Sequence, residues 1–180
     1  MTLASAIDVA LASPSWSRMR PAARQLARDA AELALTRGLA ESLLALPEAI
    51  EISITLADDQ MQYRLNREYR GQDAATNVLA FPIWQPGMRI PAEAPLLLGD
   101  VVLAFETVAR EAVEQDKPLT DHLRHLIVHG VLHLLGHDHQ TQAEAVRMES
   151  LETSILAELG VPDPYRDPMC STERETACHE

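Results

Sequence analysis

The sequence predicts an α+β (mixed α/β) fold, with a small, mostly parallel four-stranded sheet packed with about five helices. Strand-like patterns occur mostly within the first 105 residues, one helical pattern lies between the second and third of them, and helical patterns dominate the rest. With 180 residues, 47% of them hydrophobic, the chain has enough apolar material for one core. We expect a single domain over residues 1–165 and a disordered acidic tail over 166–180.

The first elements follow from local patterns. Residues 6–12 are apolar enough for a strand, and after Pro14 and Pro21 an Ala/Leu/Arg-rich stretch predicts a helix over about 20–38. Residues 50–56 alternate apolar with polar side chains, which indicates a strand with one buried face.

The next helix is predicted from its capping residue Asp58 to about Arg70, with Gly71 as terminator. Its predicted buried stripe comprises Met61, Leu65 and Tyr69.

The remaining predicted elements are strands at 76–82 and 96–105 and helices at about 106–116, 121–135 and 142–159. Thr120 is the predicted N-cap of the second of these helices. Thr141 and Glu144 have capping-box spacing before the last helix, and Gly160 is a natural stop.

The charge and composition of the chain argue against a broadly basic nucleic-acid-binding protein, a membrane protein and a disulfide-rich protein. A net charge of −12 argues against nucleic-acid binding through a broadly basic surface, although the last 30 residues alone carry −5 of it. No stretch approaches the roughly 18 apolar residues of a membrane span. Cys170 and Cys178 lie in the polar tail and do not resemble a disulfide framework, so we expect a cytoplasmic protein.

Six of the seven histidines fall between residues 122 and 139, on and just after a largely apolar helix. His129 and His133 are spaced i, i+4, which places two imidazoles on adjacent turns, close enough to bind one metal ion. Gly136 can end the helix and turn the chain back. His122 and His125 lie further from this turn and are expected to line the cleft or hold neighbours in place.

A third ligand is expected from the segment after the turn. His139 completes the pattern His-x3-His-x5-His, while His137 is a competing candidate and Asp138 could orient a ligand. Three protein nitrogens leave one coordination position open, as in catalytic zinc sites. The spacing therefore predicts one Zn²⁺ ion.

The same pattern argues against a metalloprotease. Zincins place a glutamate, the general base, directly after the first histidine, as H-E-x-x-H. Here that position is Gly130, so the general base of that class is absent.

Arg64, Arg67 and Arg70 follow at i, i+3 and i+6 on the second predicted helix. Arg64 and Arg67 fit an ordinary solvated face. Arg70 differs because it stands at the helix end, where a guanidinium could reach a cleft and bind phosphate through two hydrogen bonds.

With this arginine, the sequence resembles the YbeY family of bacterial metal-dependent endoribonucleases, the rRNA maturation factors. Three blocks in the family's order carry the resemblance: LNREYRGQDAATNVLAFP at 65–82, LLGDVVLA at 97–104 and HGVLHLLGHDH at 129–139. The match extends from about Ile50 to Tyr165. His137 departs from the pattern, since many members have tyrosine there, and the first 45 residues and the tail carry no matching motif.

The resemblance implies zinc held by His129, His133 and His139, with Arg70 required for function. It implies cleavage of single-stranded RNA, maturation of the 3′ end of 16S rRNA in the small subunit, and ribosome quality control, with ribosomal-protein and GTPase partners. Two alternatives stay open: a non-catalytic, zinc-stabilised ribosome-assembly factor, and a metallohydrolase acting on another substrate. The negative charge leads us to expect weak, non-processive binding to naked RNA.

Overall fold

The computed structural model describes residues 4–19, 21–41, 47–90 and 92–166. The strands are β1 (Ala4–Leu11), β2 (Ala49–Ala57), β3 (Val78–Pro82) and β4 (Leu96–Ala104). The helices are α1 (Ala23–Glu41), α2 (Asp59–Arg70), α3 (Phe105–Glu114), α4 (Leu119–Leu134) and α5 (Gln142–Glu158), with a short 3-10 helix at Pro14–Arg18. Of the predicted tail, the part beyond Arg166, with both cysteines, lies outside the described residues.

The four strands form one sheet in the order β1-β2-β4-β3. β1 pairs with β2 and β2 with β4 in parallel, whereas β3 pairs with β4 antiparallel and lies at the edge. The predicted α+β class and mostly parallel four-stranded sheet are therefore confirmed. No helix among the described residues combines the length and apolar character needed to cross a bilayer.

One glycine of β4 lies next to a bulge in the sheet. The register between β2 and β4 shifts between Glu51 and Ile52, opposite Gly99. Gly99 has φ +146°, and an added Cβ would lie 2.1 Å from the carbonyl oxygen of Phe81 on β3. Only glycine permits this approach of the edge strand to β4.

The core lies between the sheet and the helices α1 and α4, which pack against each other. Ile50, Ile52, Ile54 and Leu56 on β2 are all buried, as the alternation predicts. α4 also contacts β3 and β4, so its histidines are carried on a helix held by the core on several sides.

The predicted buried stripe of α2 is wrong at Tyr69, which is 64% exposed. The side chains that α2 buries are Gln62 and Asn66. Gln62 Nε2 donates to the Val102 carbonyl at 3.1 Å and Asn66 Nδ2 to that of Ala74 at 2.7 Å. These carbonyls need donors, so the helix buries two amides in preference to an apolar stripe.

The predicted N-caps of α2 and α5 are confirmed, and that of α4 is wrong. Asp58 caps α2 and Gly71 ends it with φ +63°. α5 has the predicted capping box between Thr141 and Glu144. Thr120 is wrong as the cap of α4, because that helix begins earlier: Pro118 is the N-cap and its carbonyl accepts from the next turn.

Candidate metal centre

His129 and His133 lie on the last turns of α4, with their rings half-buried and their centroids 4.6 Å apart. The two Nε2 atoms approach to 3.1 Å. The i, i+4 spacing thus brings the same atom of each ring to one point, as a shared ligand requires.

The third histidine arrives through the glycine turn. α4 ends at Leu134, and Gly136 has φ +89°, a conformation that reverses the chain at low cost only for glycine. The ring of His139 then lies with its centroid 5.0 Å from that of His133. Asp138 fixes this segment, since its Oδ1 accepts from the backbone N–H of His139 at 2.7 Å.

The donor set fits a zinc ion. One nitrogen from each of His129, His133 and His139 lies within 4.8 Å of the others. Two nitrogens bound tetrahedrally at about 2.0–2.1 Å are separated by about 3.4 Å, close to the Nε2 separation seen here. Burial and the neighbouring histidines lower the pKa of His133 to about 4, so its imidazole stays neutral and able to bind metal.

His137 lies apart from this cluster. Its Nε2 is 3.2 Å from the carbonyl oxygen of Gly38 on α1. An added Cβ on Gly38 would lie 2.5 Å from Leu135, so α1 and the end of α4 are in close contact there. His137, the competing candidate for the third ligand, therefore contacts a backbone carbonyl of α1. After the turn at Gly136, it is His139 that lies beside His129 and His133.

A cavity of about 710 Å³ opens beside the three histidines. Arg70 lines it from the end of α2, and Asn77 and Val78 line it from the start of β3. Within the described part of the chain, the Arg70 guanidinium forms no ion pair, so its charge is available to a ligand in the cavity. The structure thus places the predicted arginine and the predicted histidines in the lining of one cavity.

Gly130, the position of the protease glutamate, faces the sheet. An added Cβ would lie 2.8 Å from Val101 Cγ1 on β4 and 3.4 Å from Val78 Cγ2 on β3. Glycine here allows α4 to pack closely on the strands. A glutamate at this position would meet the core, which gives a structural reason for the absent protease base.

His122 is buried at the other end of the histidine stripe. Its Nε2 lies 2.8 Å from Glu111 Oε2, and the same oxygen accepts from Asn77 Nδ2 at 2.9 Å. Burial lowers the pKa of His122 despite the nearby carboxylate. His122 therefore positions Glu111, and Glu111 positions Asn77 in the cavity wall. This agrees with the expectation that His122 holds its neighbours in place.

Sequence reasoning missed one residue of this centre. Glu152 on α5 is fully buried, and its Oε1 lies 2.6 Å from His129 Nδ1. Its burial raises the pKa of the carboxyl, but hydrogen bonds with His125, His129 and Tyr165 outweigh this and hold the pKa at about 2. A glutamate within a helical pattern resembles any exposed acid, and only the packing of α5 on α4 reveals its role.

A three-histidine cluster at the end of a buried helix, opening into a cavity beside an arginine, has the arrangement of a catalytic metal site with an open coordination position. The family model described as "Endoribonuclease YbeY" matches residues 19–160. The chain belongs to this family, which confirms the resemblance found in the sequence.

Named relatives agree over most of the chain. A protein of Paramagnetospirillum magneticum named "Endoribonuclease YbeY" is 47% identical over 167 residues, covering 92% of this chain and 98% of the relative. One of the same name from Bradyrhizobium sp. is 56% identical over 118 residues, covering 65% and 70%. The solution structure of TM1509 from Thermotoga maritima superposes with a TM-score of 0.53 at 20% identity, covering 90% of this chain and all of that one, and supports the fold.

Proposed function

We propose that this chain is a zinc-dependent endoribonuclease that cleaves single-stranded RNA. The observation that carries the proposal is that His129, His133, His139 and Arg70 line one cavity. Membership of the YbeY family, whose relatives are named endoribonucleases, supports RNA as the substrate.

His129, His133 and His139 would hold the ion. A zinc ion held there would polarise a phosphoryl oxygen of the substrate. The protein holds these rings in place: α4 is packed into the core, and Asp138 secures the segment that carries His139.

Arg70 binds the scissile phosphate. Its planar guanidinium can donate two parallel hydrogen bonds to phosphate oxygens and offset the negative charge that grows on them during attack. The local cation also explains how an acidic protein engages RNA, because a positive site in a cavity acts at short range regardless of net charge.

The RNA's own 2′-hydroxyl, which the substrate already holds beside the scissile phosphorus, is the proposed nucleophile in this cavity. Among the described residues that line it, Asp138 is the only acid, and one of its oxygens already accepts from the His139 backbone. The other oxygen of Asp138 has no hydrogen-bond partner within the described chain and could accept the proton of the attacking hydroxyl. Attack by the 2′-oxygen on phosphorus, with loss of the hydroxyl proton, breaks the bond to the 5′-oxygen. The 5′-oxygen takes up a proton as it leaves, and the products are a 2′,3′-cyclic phosphate and a 5′-hydroxyl.

The test incubates zinc-loaded, nuclease-free protein with single-stranded RNA, duplex RNA and casein. We expect cleavage of single-stranded RNA only, lost in His133→Ala and in Arg70→Ala but retained in Arg67→Ala, whose exposed arginine lies 3.9 Å from Asp73. A 2′-deoxy residue at the cleaved position should block the reaction, and cyclic phosphate ends should appear. Zinc binding with no cleavage would favour a non-catalytic assembly factor, and casein cleavage would favour another hydrolase.

We extend the proposal to the cellular setting that the family suggests: maturation of the 3′ end of 16S rRNA on the small subunit, ribosome quality control, ribosomal-protein and GTPase partners, and a cytoplasmic location. A net charge of −12 supports a need for ribosomal context, because it weakens binding to naked RNA. Nanomolar binding to arbitrary RNA at physiological salt would contradict this part.

A further inference from the structure

Glu152 is a buried carboxylate with an unusual set of neighbours. It is fully buried on α5, and within the described chain no lysine or arginine pairs with it. Its neighbours are His129 Nδ1 at 2.6 Å from Oε1, His125 Nε2 at 3.4 Å from Oε2, and the hydroxyl of Tyr165, which donates to Oε2. A buried acid costs stability compared with an apolar residue of similar size, so fold stability alone does not explain it.

The contact with His129 determines which ring nitrogen carries the proton. An ionised carboxylate only accepts hydrogen bonds, so Nδ1 of His129 must donate to Oε1. In the neutral ring the lone pair is then on Nε2. Nε2 is the atom that lies 3.1 Å from His133 Nε2, where the ion would bind.

Tyr165 completes the arrangement from the chain segment after α5. Asp163 holds that segment, since its Oδ1 accepts from the Tyr165 backbone N–H at 2.9 Å and from Thr153 Oγ1 at 3.3 Å. Burial and Glu152 raise the pKa of Tyr165, so its hydroxyl remains a donor. The tyrosine thereby occupies the second oxygen of Glu152 and leaves the first for His129.

We propose that Glu152, secured by Tyr165, is a positioning residue that fixes the Nδ1–H tautomer of His129 and so raises the affinity of the three-histidine centre for zinc. The inference rests on the proposed function only in taking the histidines as zinc ligands. Hydrogen-bond partners of this kind typically contribute 10–100-fold to metal affinity.

The test uses the full chain and has two readouts, neither of which is activity. The first is the His129 tautomer in metal-free protein, read from two-bond ¹H–¹⁵N correlations of the ring at about pH 8, where histidines are ordinarily neutral. The second is the dissociation constant for Zn²⁺, measured by competition with a chelator. The variants are Glu152→Gln and Tyr165→Phe. The matched control is Glu158→Gln, on the same helix, whose exposed carboxylate pairs with Arg37 at 2.7 Å.

We expect the Nδ1–H form in wild type and in Glu158→Gln, and substantial Nε2–H form in Glu152→Gln with roughly 10–100-fold weaker zinc binding. Tyr165→Phe should weaken zinc binding by a smaller factor, and it decides the matter if Glu152→Gln does not fold. An Nε2–H tautomer in wild type, or wild-type zinc affinity in both variants, overturns the inference while leaving the proposed function intact. Failure of wild type to bind zinc overturns both.

Discussion

The close contact between α4 and the sheet at Gly130 gives a prediction with a calculable size. Gly130→Ala adds one methyl group, and its carbon would lie 2.8 Å and 3.3 Å from the two γ-carbons of Val101. Val101 is fully buried on a central strand and has little room to move. Overpacking of this kind typically costs about 1–3 kcal/mol.

Helix propensity acts in the opposite direction. Alanine is favoured over glycine inside a helix by about 1 kcal/mol. Taking about 2 kcal/mol for the clash, we expect Gly130→Ala to lower the free energy of unfolding by about 1 kcal/mol. For a domain of this size that corresponds to a fall in Tm of about 2–4 °C.

A double-mutant cycle separates these two effects, with unfolding measured in urea on metal-free protein. Val101→Ala removes the two methyl groups that the new Cβ would meet, at a cost of about 2 kcal/mol. In that background Gly130→Ala should become neutral or stabilising, by up to about 1 kcal/mol. Stabilisation of the wild-type background by Gly130→Ala, or the same effect in both backgrounds, would refute the packing argument. Gly130→Glu, which recreates H-E-x-x-H, should disrupt the fold and yield no casein cleavage.

Three other perturbations have expected outcomes. Arg70→Lys should reduce RNA cleavage at least tenfold, because lysine cannot donate the two parallel hydrogen bonds of a guanidinium. Its zinc content, measured by elemental analysis, should be unchanged. Full activity would exclude a phosphate contact that needs the guanidinium. Because burial lowers the folded-state pKa of His122, the unfolded state takes up a proton first as pH falls below about 6.5. The free energy of unfolding should therefore fall as the pH is lowered from about 6.5 toward the folded-state pKa of His122, and it should fall less steeply in His122→Gln. An equal dependence on pH in the two proteins, measured by urea titration, would contradict this. Thr141→Ala removes the acceptor for the backbone N–H of Glu144 and should lower the free energy of unfolding by about 1 kcal/mol. An unchanged Tm would show that this cap does not contribute to stability.

Much of the fold could be predicted because its periodicities are strong and local. The alternation over Ile50–Leu56 and the capping box at Thr141 are readable from neighbouring residues. The buried face of α2 could not be read this way. Gln62 and Asn66 are polar, and the carbonyls that require them belong to β4 and to the loop at Ala74, which are distant in sequence.

The candidate site shows the same division. His129 and His133 share one helix face and His139 follows a glycine turn, so local spacing was enough to bring them together. The role of Glu152 depends on the packing of α5 against α4, a tertiary contact with no signal in the sequence around it. The position of His137 likewise depends on α1, nearly a hundred residues earlier, whose Gly38 carbonyl it contacts.

The most direct test of the central claim is one assay of zinc content and RNA cleavage on the same preparations of wild type and His133→Ala. We predict one zinc ion per chain and endonucleolytic cleavage of single-stranded RNA in wild type, with both lost in a variant that remains folded by circular dichroism. Cleavage by folded, zinc-free His133→Ala at the wild-type rate would contradict a catalytic role for the three-histidine centre.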